Sequence, residues 1–157
     1  MISAFLFDIG NVLLKFDFKL ALQRLAQDCE SVAAERILEM IEPVKAAYEG
    51  GRISRSEFQA KTREIIRYTG SDEDFVSAWE DIFTENDPMV ALVHQLRGKY
   101  PLYLLSNTSD IHRDFIFRRY PVFGHFDRGI YSYEVRASKP DREIYEIAVR
   151  ELGINPQ

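Results

Sequence analysis

The sequence predicts an α/β fold, a doubly wound parallel sheet interrupted by an inserted segment of helices. Residues 4–9 and 102–105 are nearly all apolar, as in strands buried on both faces, and polar residues follow each of them. Residues 16–87, between these two runs, contain no convincing strand and carry apolar residues at helical spacing. Strands that alternate with helices around such an insertion favour a parallel sheet.

The inserted segment begins after the first strand, which Gly10-Asn11 break. Ser54 and Glu57 fit a capping box, so a helix is predicted from Arg55 to about residue 68. A further helix is predicted over 72–83.

The remainder alternates regularly. Pro88, well placed in a first helical turn, opens a helix that runs to residue 97. The predicted elements that follow are a strand at 102–105, a helix at 110–120, a strand at 129–132 and a helix at 141–152. The core is therefore interpreted as a Rossmann-like parallel sheet with three strands.

Composition excludes several classes of protein. The 157 residues hold 20 Lys+Arg and 25 Asp+Glu, a net charge of −5, which disfavours nucleic acid as the main partner. A hydrophobic content of 46% excludes disorder, and no apolar run is long enough to span a membrane. The single cysteine, Cys29, and the lack of a signal peptide favour the cytoplasm.

Polar residues follow the predicted strands at the edge where ligands bind in such sheets. They are Asp8 after the first strand, Ser106-Asn107 after the second, and Lys139-Pro140 before the last helix. A carboxylate in an apolar run needs a cation nearby, and Lys139 is its natural partner. A carboxylate, a hydroxyl and an ammonium that converge there suit phosphoryl transfer.

Three segments in order, FLFDIGNVLL, LLSNT and SKPDREIY, resemble the motifs of the haloacid dehalogenase-like hydrolase superfamily. The inserted helices resemble that family's first type of cap. The form DIGNVL, together with YEGGRIS in the insertion, is most similar to the branch with bacterial sugar-phosphate phosphatases, such as α-D-glucose-1-phosphate phosphatases.

The resemblance implies a role for each residue of the site. Asp8 would be the nucleophile that forms a phosphoaspartate, and Ser106 would bond a phosphoryl oxygen, with Asn107 helping to orient the site. Lys139 would neutralise negative charge. Mg²⁺ would be held by Asp8 and the backbone carbonyl of Gly10.

The resemblance also implies a division of the chain. Residues 1–15 and 88–157 would form the hydrolase core and 16–87 the helical cap, which selects the leaving group of a small phosphorylated metabolite, most simply a sugar phosphate. Arg52 in a cap loop is a candidate substrate contact, although a solvated loop residue is the simpler interpretation.

Two departures from the family pattern qualify these expectations. Gly10 stands where most phosphatases of the family have a second aspartate, a general acid/base, and no acidic motif follows Lys139 to complete the metal site. The C-terminal part of the core is therefore expected to be missing after Gln157, with the open edge of the first strand covered by a second copy in a homodimer. A haloacid dehalogenase and an impaired, phosphate- or partner-binding member remain the alternatives.

Overall fold

A three-stranded parallel sheet organises the computed structural model, which describes residues 2–155. The strand order is β1 (Phe5–Phe7), β4 (Leu102–Ser106), β5 (Arg128–Tyr131). Phe5 pairs with Leu102, and Tyr103 pairs with Arg128. The predicted α/β class is confirmed, whereas the predicted stop at Pro156-Gln157 lies outside the described residues.

Eight α-helices accompany the strands in the described part of the chain. They are α1 (Phe18–Gln27), α2 (Ala34–Glu49), α3 (Arg55–Ile66), α4 (Asp72–Glu80), α5 (Asp87–Leu96), α6 (Asp110–Arg119), α7 (Ser132–Val135) and α8 (Arg142–Leu152). A short 3-10 helix at Pro121–His125 precedes β5. The predicted capping box of α3 is present, since the Ser54 hydroxyl accepts the Glu57 N–H and the Glu57 carboxylate accepts the Ser54 N–H.

The sheet is buried on both faces, which explains the continuous apolar run of β4. Leu104 packs on one face with Val93 of α5 and Ile116 of α6. Leu105 packs on the other face with Ile144 of α8. Successive side chains of a strand point to opposite faces, so a strand covered on both sides is apolar throughout.

Helices α1–α4, which we call the helical layer, have an apolar cluster of their own. Its largest fully buried side chains are Phe58, Phe75 and Trp79. Ile111 of α6 belongs to the same cluster, so the helical layer packs against α6, which itself covers the sheet. The division of the chain into a core and a cap stays a prediction.

A two-stranded antiparallel ribbon joins the helical layer to the sheet. Strand β2 (Leu14–Phe16) pairs with β3 (Phe83–Glu85), so the prediction of helix through residue 83 and of no strand in 16–87 was wrong. Helix α4 ends at Glu80, and the chain returns beside β2, where Asp17 N–H donates to the Ile82 carbonyl at 3.0 Å. Both passages between sheet and layer run through this ribbon.

Strand β1 lies at an edge of the sheet formed by residues 2–155, where β4 is its single neighbour. Leu6 of β1 is 41% exposed. The homodimer predicted to cover this edge stays a prediction. Within residues 2–155, no helix is both long enough and apolar enough to cross a membrane.

Candidate active site

Asp8 directly follows β1, at the carboxyl end of the parallel sheet. One of its carboxylate oxygens, Oδ1, accepts a hydrogen bond from the Ile9 N–H at 2.8 Å. The side chain is 37% exposed, so the carboxylate is held by the chain and still open to a ligand. This placement is the one that the sequence predicts for a reactive group.

Lys139 forms the ion pair that the sequence predicts for Asp8. Its ammonium Nζ lies 2.7 Å from Asp8 Oδ2 and donates a second hydrogen bond, of 3.0 Å, to the Leu105 carbonyl. The two bonds place one positive charge between the end of β1 and the end of β4. Such a charge-assisted contact is stronger than a hydrogen bond between neutral groups.

Asn107 holds the backbone of Lys139 from the loop after β4. Its Oδ1 accepts the Lys139 N–H at 2.8 Å, and its Nδ2 donates to the Lys139 carbonyl at 2.9 Å. Both ends of the amide are therefore engaged by one residue, which fits the predicted orienting role. A direct contact of Asn107 with substrate stays a prediction.

Ser106, the last residue of β4, lines a small cavity between the sheet and the helical layer. The cavity has a volume of about 140 Å³, and its wall includes Gly10, Phe16, Glu49 and Ser106. The Ser106 side chain is buried, and its hydroxyl makes one long contact, 3.4 Å, with the Asn107 carbonyl. The hydroxyl is thus free to turn toward a ligand in the cavity.

Gly10 brings the backbone to the cavity without a side chain. A Cβ atom at this position would lie 3.0 Å from the Phe16 ring, so any larger residue requires that ring to move. Gly10 therefore contributes its backbone carbonyl to the cavity and leaves the space beside that carbonyl open.

Three titratable side chains of the cavity lie outside the predicted set. Lys45 Nζ is 3.2 Å from a carboxylate oxygen of Glu49, and burial nonetheless raises the Glu49 pKa above its usual value, against the lowering effect of Lys45. Burial lowers the pKa of His112 to about 4, so the ring is neutral at pH 7. Its Nε2 lies 3.0 Å from the Trp79 carbonyl, to which the neutral ring donates.

Arg52 lies apart from these residues. It lines a wider cavity of about 710 Å³ between the α2–α3 loop and α7, together with Arg55, Asp110 and Arg136. The structure therefore groups Asp8, Ser106, Asn107 and Lys139 and leaves Arg52 outside that group. Its predicted contact with substrate is untested.

The donors at this site suit a magnesium ion. Asp8 supplies a carboxylate and Gly10 a backbone carbonyl, both hard oxygen donors, and Mg²⁺ keeps several waters when protein ligands are few. Within residues 2–155, no group of three or more His, Cys, Asp or Glu side chains is placed to hold a metal. A bound Mg²⁺ would therefore rely on the Asp8 carboxylate, and its other ligands would be the Gly10 carbonyl and water.

A strand-end aspartate paired with a lysine, on a parallel sheet beside a helical layer, is the arrangement that the sequence resemblance predicts for a hydrolase of the haloacid dehalogenase type. The model of the haloacid dehalogenase-like hydrolase family matches residues 2–157. The chain belongs to this family and is a hydrolase.

Curated relatives include phosphatases of small molecules. A D-ribitol-5-phosphate phosphatase of Bacteroides thetaiotaomicron is 25% identical and covers 99% of this chain and 80% of its own length. A pyrimidine 5′-nucleotidase of Escherichia coli is also 25% identical, over 96% of this chain and 71% of its own.

Solved structures of the family share the fold. A haloacid dehalogenase family enzyme of B. thetaiotaomicron, in complex with magnesium and inorganic phosphate, is 28% identical over 99% of this chain and 81% of its own, with a TM-score of 0.86. L-2-haloacid dehalogenase of Xanthobacter autotrophicus has a TM-score of 0.66 at 20% identity, over 100% of this chain and 67% of its own.

Lys45 and Glu49 carried a signal that was overlooked in the sequence. Residues 37, 41, 45 and 49 recur every four positions, so they lie along one side of α2. Ile37 and Ile41 are fully buried, and the two charged residues that continue their stripe must therefore face the interior. Charged side chains on a buried stripe mark a polar site.

Proposed function

We propose that this hydrolase is a Mg²⁺-dependent phosphatase of a small phosphorylated metabolite and that it acts through a phosphoaspartate at Asp8. The observation that carries the proposal is the 2.7 Å ion pair between Asp8 and Lys139 at the carboxyl end of the sheet. The names of the curated relatives support a phosphomonoester as substrate.

The residues divide the chemistry among them. The Asp8 carboxylate attacks the phosphorus atom, and Lys139 offsets the negative charge that gathers there. The buried Ser106 hydroxyl donates to a phosphoryl oxygen, and Asn107 keeps Lys139 in place. Bound magnesium, held by Asp8 and the Gly10 carbonyl, would supply charge neutralisation for the phosphoryl oxygens.

The substrate class follows from what adjoins the site. On the side of the helical layer, the cavity at Ser106 is lined by the charged side chains of Lys45 and Glu49, which suit a hydroxylated leaving group. We therefore propose that the substrate is a sugar phosphate or a sugar-alcohol phosphate and that the enzyme acts in the cytoplasm. In this proposal, Arg52 contacts the leaving group.

Replacement of the nucleophile tests the proposal. Asp8→Asn should lower kcat for release of phosphate from D-ribitol 5-phosphate or glucose 1-phosphate by at least about 10³-fold, because the neutral amide cannot attack phosphorus. Asp87→Asn, an exposed change of the same kind, should keep the wild-type rate.

The outcomes are distinct. Phosphate release by Asp8→Asn at the wild-type rate would exclude the phosphoaspartate. Release of halide from a 2-haloacid by the wild-type protein in the presence of EDTA, with no release of phosphate from either ester, would instead assign the dehalogenase reaction.

A further inference from the structure

On the sheet side of the cavity, residues 2–155 place no carboxylic acid that could protonate the leaving group. Gly10 has no side chain, and the Phe16 ring occupies the space next to it. An alkoxide leaves phosphorus slowly unless it is protonated, and a positioned acid is typically worth about 10²–10⁴-fold. The donor must therefore come from another wall of the cavity. This inference rests on the proposed phosphatase function.

Glu49 lies on that wall. It is the last residue of α2, and it lines the same 140 Å³ cavity as Gly10 and Ser106. Its side chain is 25% exposed. It approaches from the helical layer, whereas the residues that hold the phosphoryl group belong to the sheet. In an in-line displacement, the leaving group departs on the side of phosphorus opposite the attacking Asp8 oxygen.

The backbone of Glu49 is fixed to the sheet side of the molecule. The fully buried Ser132 hydroxyl donates to the Glu49 carbonyl at 2.6 Å and accepts the Thr108 N–H at 3.0 Å. Ser132 therefore joins the end of α2 to the loop that follows Ser106. A backbone anchored in this way keeps the Cα atom of Glu49 in place relative to the phosphoryl site.

The charged groups around Glu49 are compatible with a carboxyl group that gains and loses a proton. Lys45 lies 3.2 Å away and is itself 3.8 Å from Glu42, on the same helix. His112, from α6, faces the cavity as a neutral ring. Burial raises the Glu49 pKa more than Lys45 lowers it, so the protonated form is available closer to neutral pH than for an ordinary glutamate.

We propose that Glu49 is the general acid and base of the reaction, a role that Gly10 cannot fill because it has no side chain. In the first step an oxygen of Asp8 bonds to phosphorus, the bond from phosphorus to the leaving oxygen breaks, and the Glu49 carboxyl proton passes to that oxygen. The products are the free alcohol, phosphoaspartate and the Glu49 carboxylate.

The second step restores both carboxyl groups. The Glu49 carboxylate takes one proton from water as the water oxygen bonds to phosphorus, and the bond from phosphorus to Asp8 breaks. Phosphate leaves with the second hydrogen of the water. Asp8 is again a carboxylate and Glu49 again a carboxylic acid, so atoms and charges balance over the cycle.

A comparison of leaving groups tests the assignment. Glu49→Gln should lower kcat/KM for D-ribitol 5-phosphate by about 10²–10⁴-fold. For p-nitrophenyl phosphate, whose phenolate departs without protonation, kcat/KM should change by less than about 10-fold. In the same variant, phosphoenzyme should accumulate after mixing with p-nitrophenyl phosphate, because the second step still lacks its base.

Matched variants separate Glu49 from its surroundings. Glu42→Gln makes the same change on the same helix, beside the same Lys45, and should keep the wild-type rate on both substrates. Glu49→Asp, which keeps a carboxyl group, should recover part of the activity on D-ribitol 5-phosphate. The decline of wild-type kcat/KM for this ester as the pH rises through the ionisation of Glu49 should be absent in Glu49→Gln.

Each contrary outcome has one meaning. An equal loss on both esters, or no loss on either, would overturn the role of Glu49 and leave the phosphatase function in place. A dependence on leaving group that appears in Lys45→Gln and not in Glu49→Gln would assign the proton to Lys45. A wild-type protein that hydrolyses neither ester would overturn the proposed function itself.

Discussion

Lys139 connects the ends of β1 and β4 with the loop that follows β4. Its ammonium contacts Asp8 and the Leu105 carbonyl, while its backbone is held on both sides by Asn107. An ammonium held by two bonds, on a backbone held by two more, keeps its charge in place, so the site does not reorganise when a phosphoryl group binds.

Lys139→Met should lower kcat/KM for a phosphomonoester by about 10²–10³-fold, because an unpaired negative charge then develops at the phosphoryl group. Lys99→Met, a similar change at an exposed position, should have no effect on the same steady-state assay. Equal activity of the two variants would contradict the charge-neutralising role of Lys139.

His112 makes stability depend on acidity. Its pKa is lowered to about 4 in the folded chain, whereas the unfolded chain has the ordinary value of 6.5, so the unfolded state binds the proton first as the pH falls. Stability due to this group is complete above pH 6.5 and is lost between pH 6.5 and about 4, by up to about 1.4 kcal/mol per pH unit.

Urea denaturation at several pH values measures this loss. His112→Phe should flatten the dependence of the free energy of unfolding on pH in that window, even if its stability at pH 7 is lower. His94→Phe, a control on the exposed surface, should keep the wild-type slope. A steep slope in His112→Phe would assign the acid sensitivity to other groups.

The sequence predicted the residues of the sheet edge and overlooked those of the helical layer. Asp8 and Ser106 lie at strand ends and Lys139 precedes the last helix, so the local pattern places them at one edge. Glu49 reaches the cavity only because the helical layer folds back over the sheet, and Ser132 acts through contacts with two distant segments. Single-sequence patterns do not report such long-range packing.

At the scale of elements, helices with capping signals were predicted and the short strands of the ribbon were not. Pro88 and the Ser54–Glu57 box mark the beginnings of α5 and α3. The ribbon pairs two strands of three residues each, β2 and β3, and the whole helical layer lies between them in the chain. Its strands are too short for an alternating pattern, and tertiary pairing decides them.

The capping box allows a prediction at this scale. Ser54→Ala should lower the free energy of unfolding by about 0.5–2 kcal/mol, because the N–H of Glu57 at the start of α3 loses its acceptor. Ser77→Ala, at an exposed site inside α4, should change stability by less than about 0.5 kcal/mol. Urea denaturation compares the two variants, and equal stabilities would show that the cap contributes nothing.

At the scale of the molecule, the exposed edge of β1 predicts self-association. Leu6 offers apolar surface there, and unpaired backbone groups of an edge strand pair readily with another strand. The chain of 157 residues should form dimers at micromolar concentration in sedimentation velocity, and Leu6→Lys should shift it toward the monomer. Identical sedimentation of both proteins would exclude this edge as the interface.

The ribbon of β2 and β3 has a consequence for how such a protein can change over evolutionary time. Phe16 and Phe83, where the chain enters and leaves the helical layer, are register partners, so the layer begins and ends at one point in space. Its helices can be lengthened, shortened or exchanged there without shifting any strand of the parallel sheet. Glu49 belongs to the helical layer, so replacing this layer would change the preference for leaving group and the group that protonates it in one step.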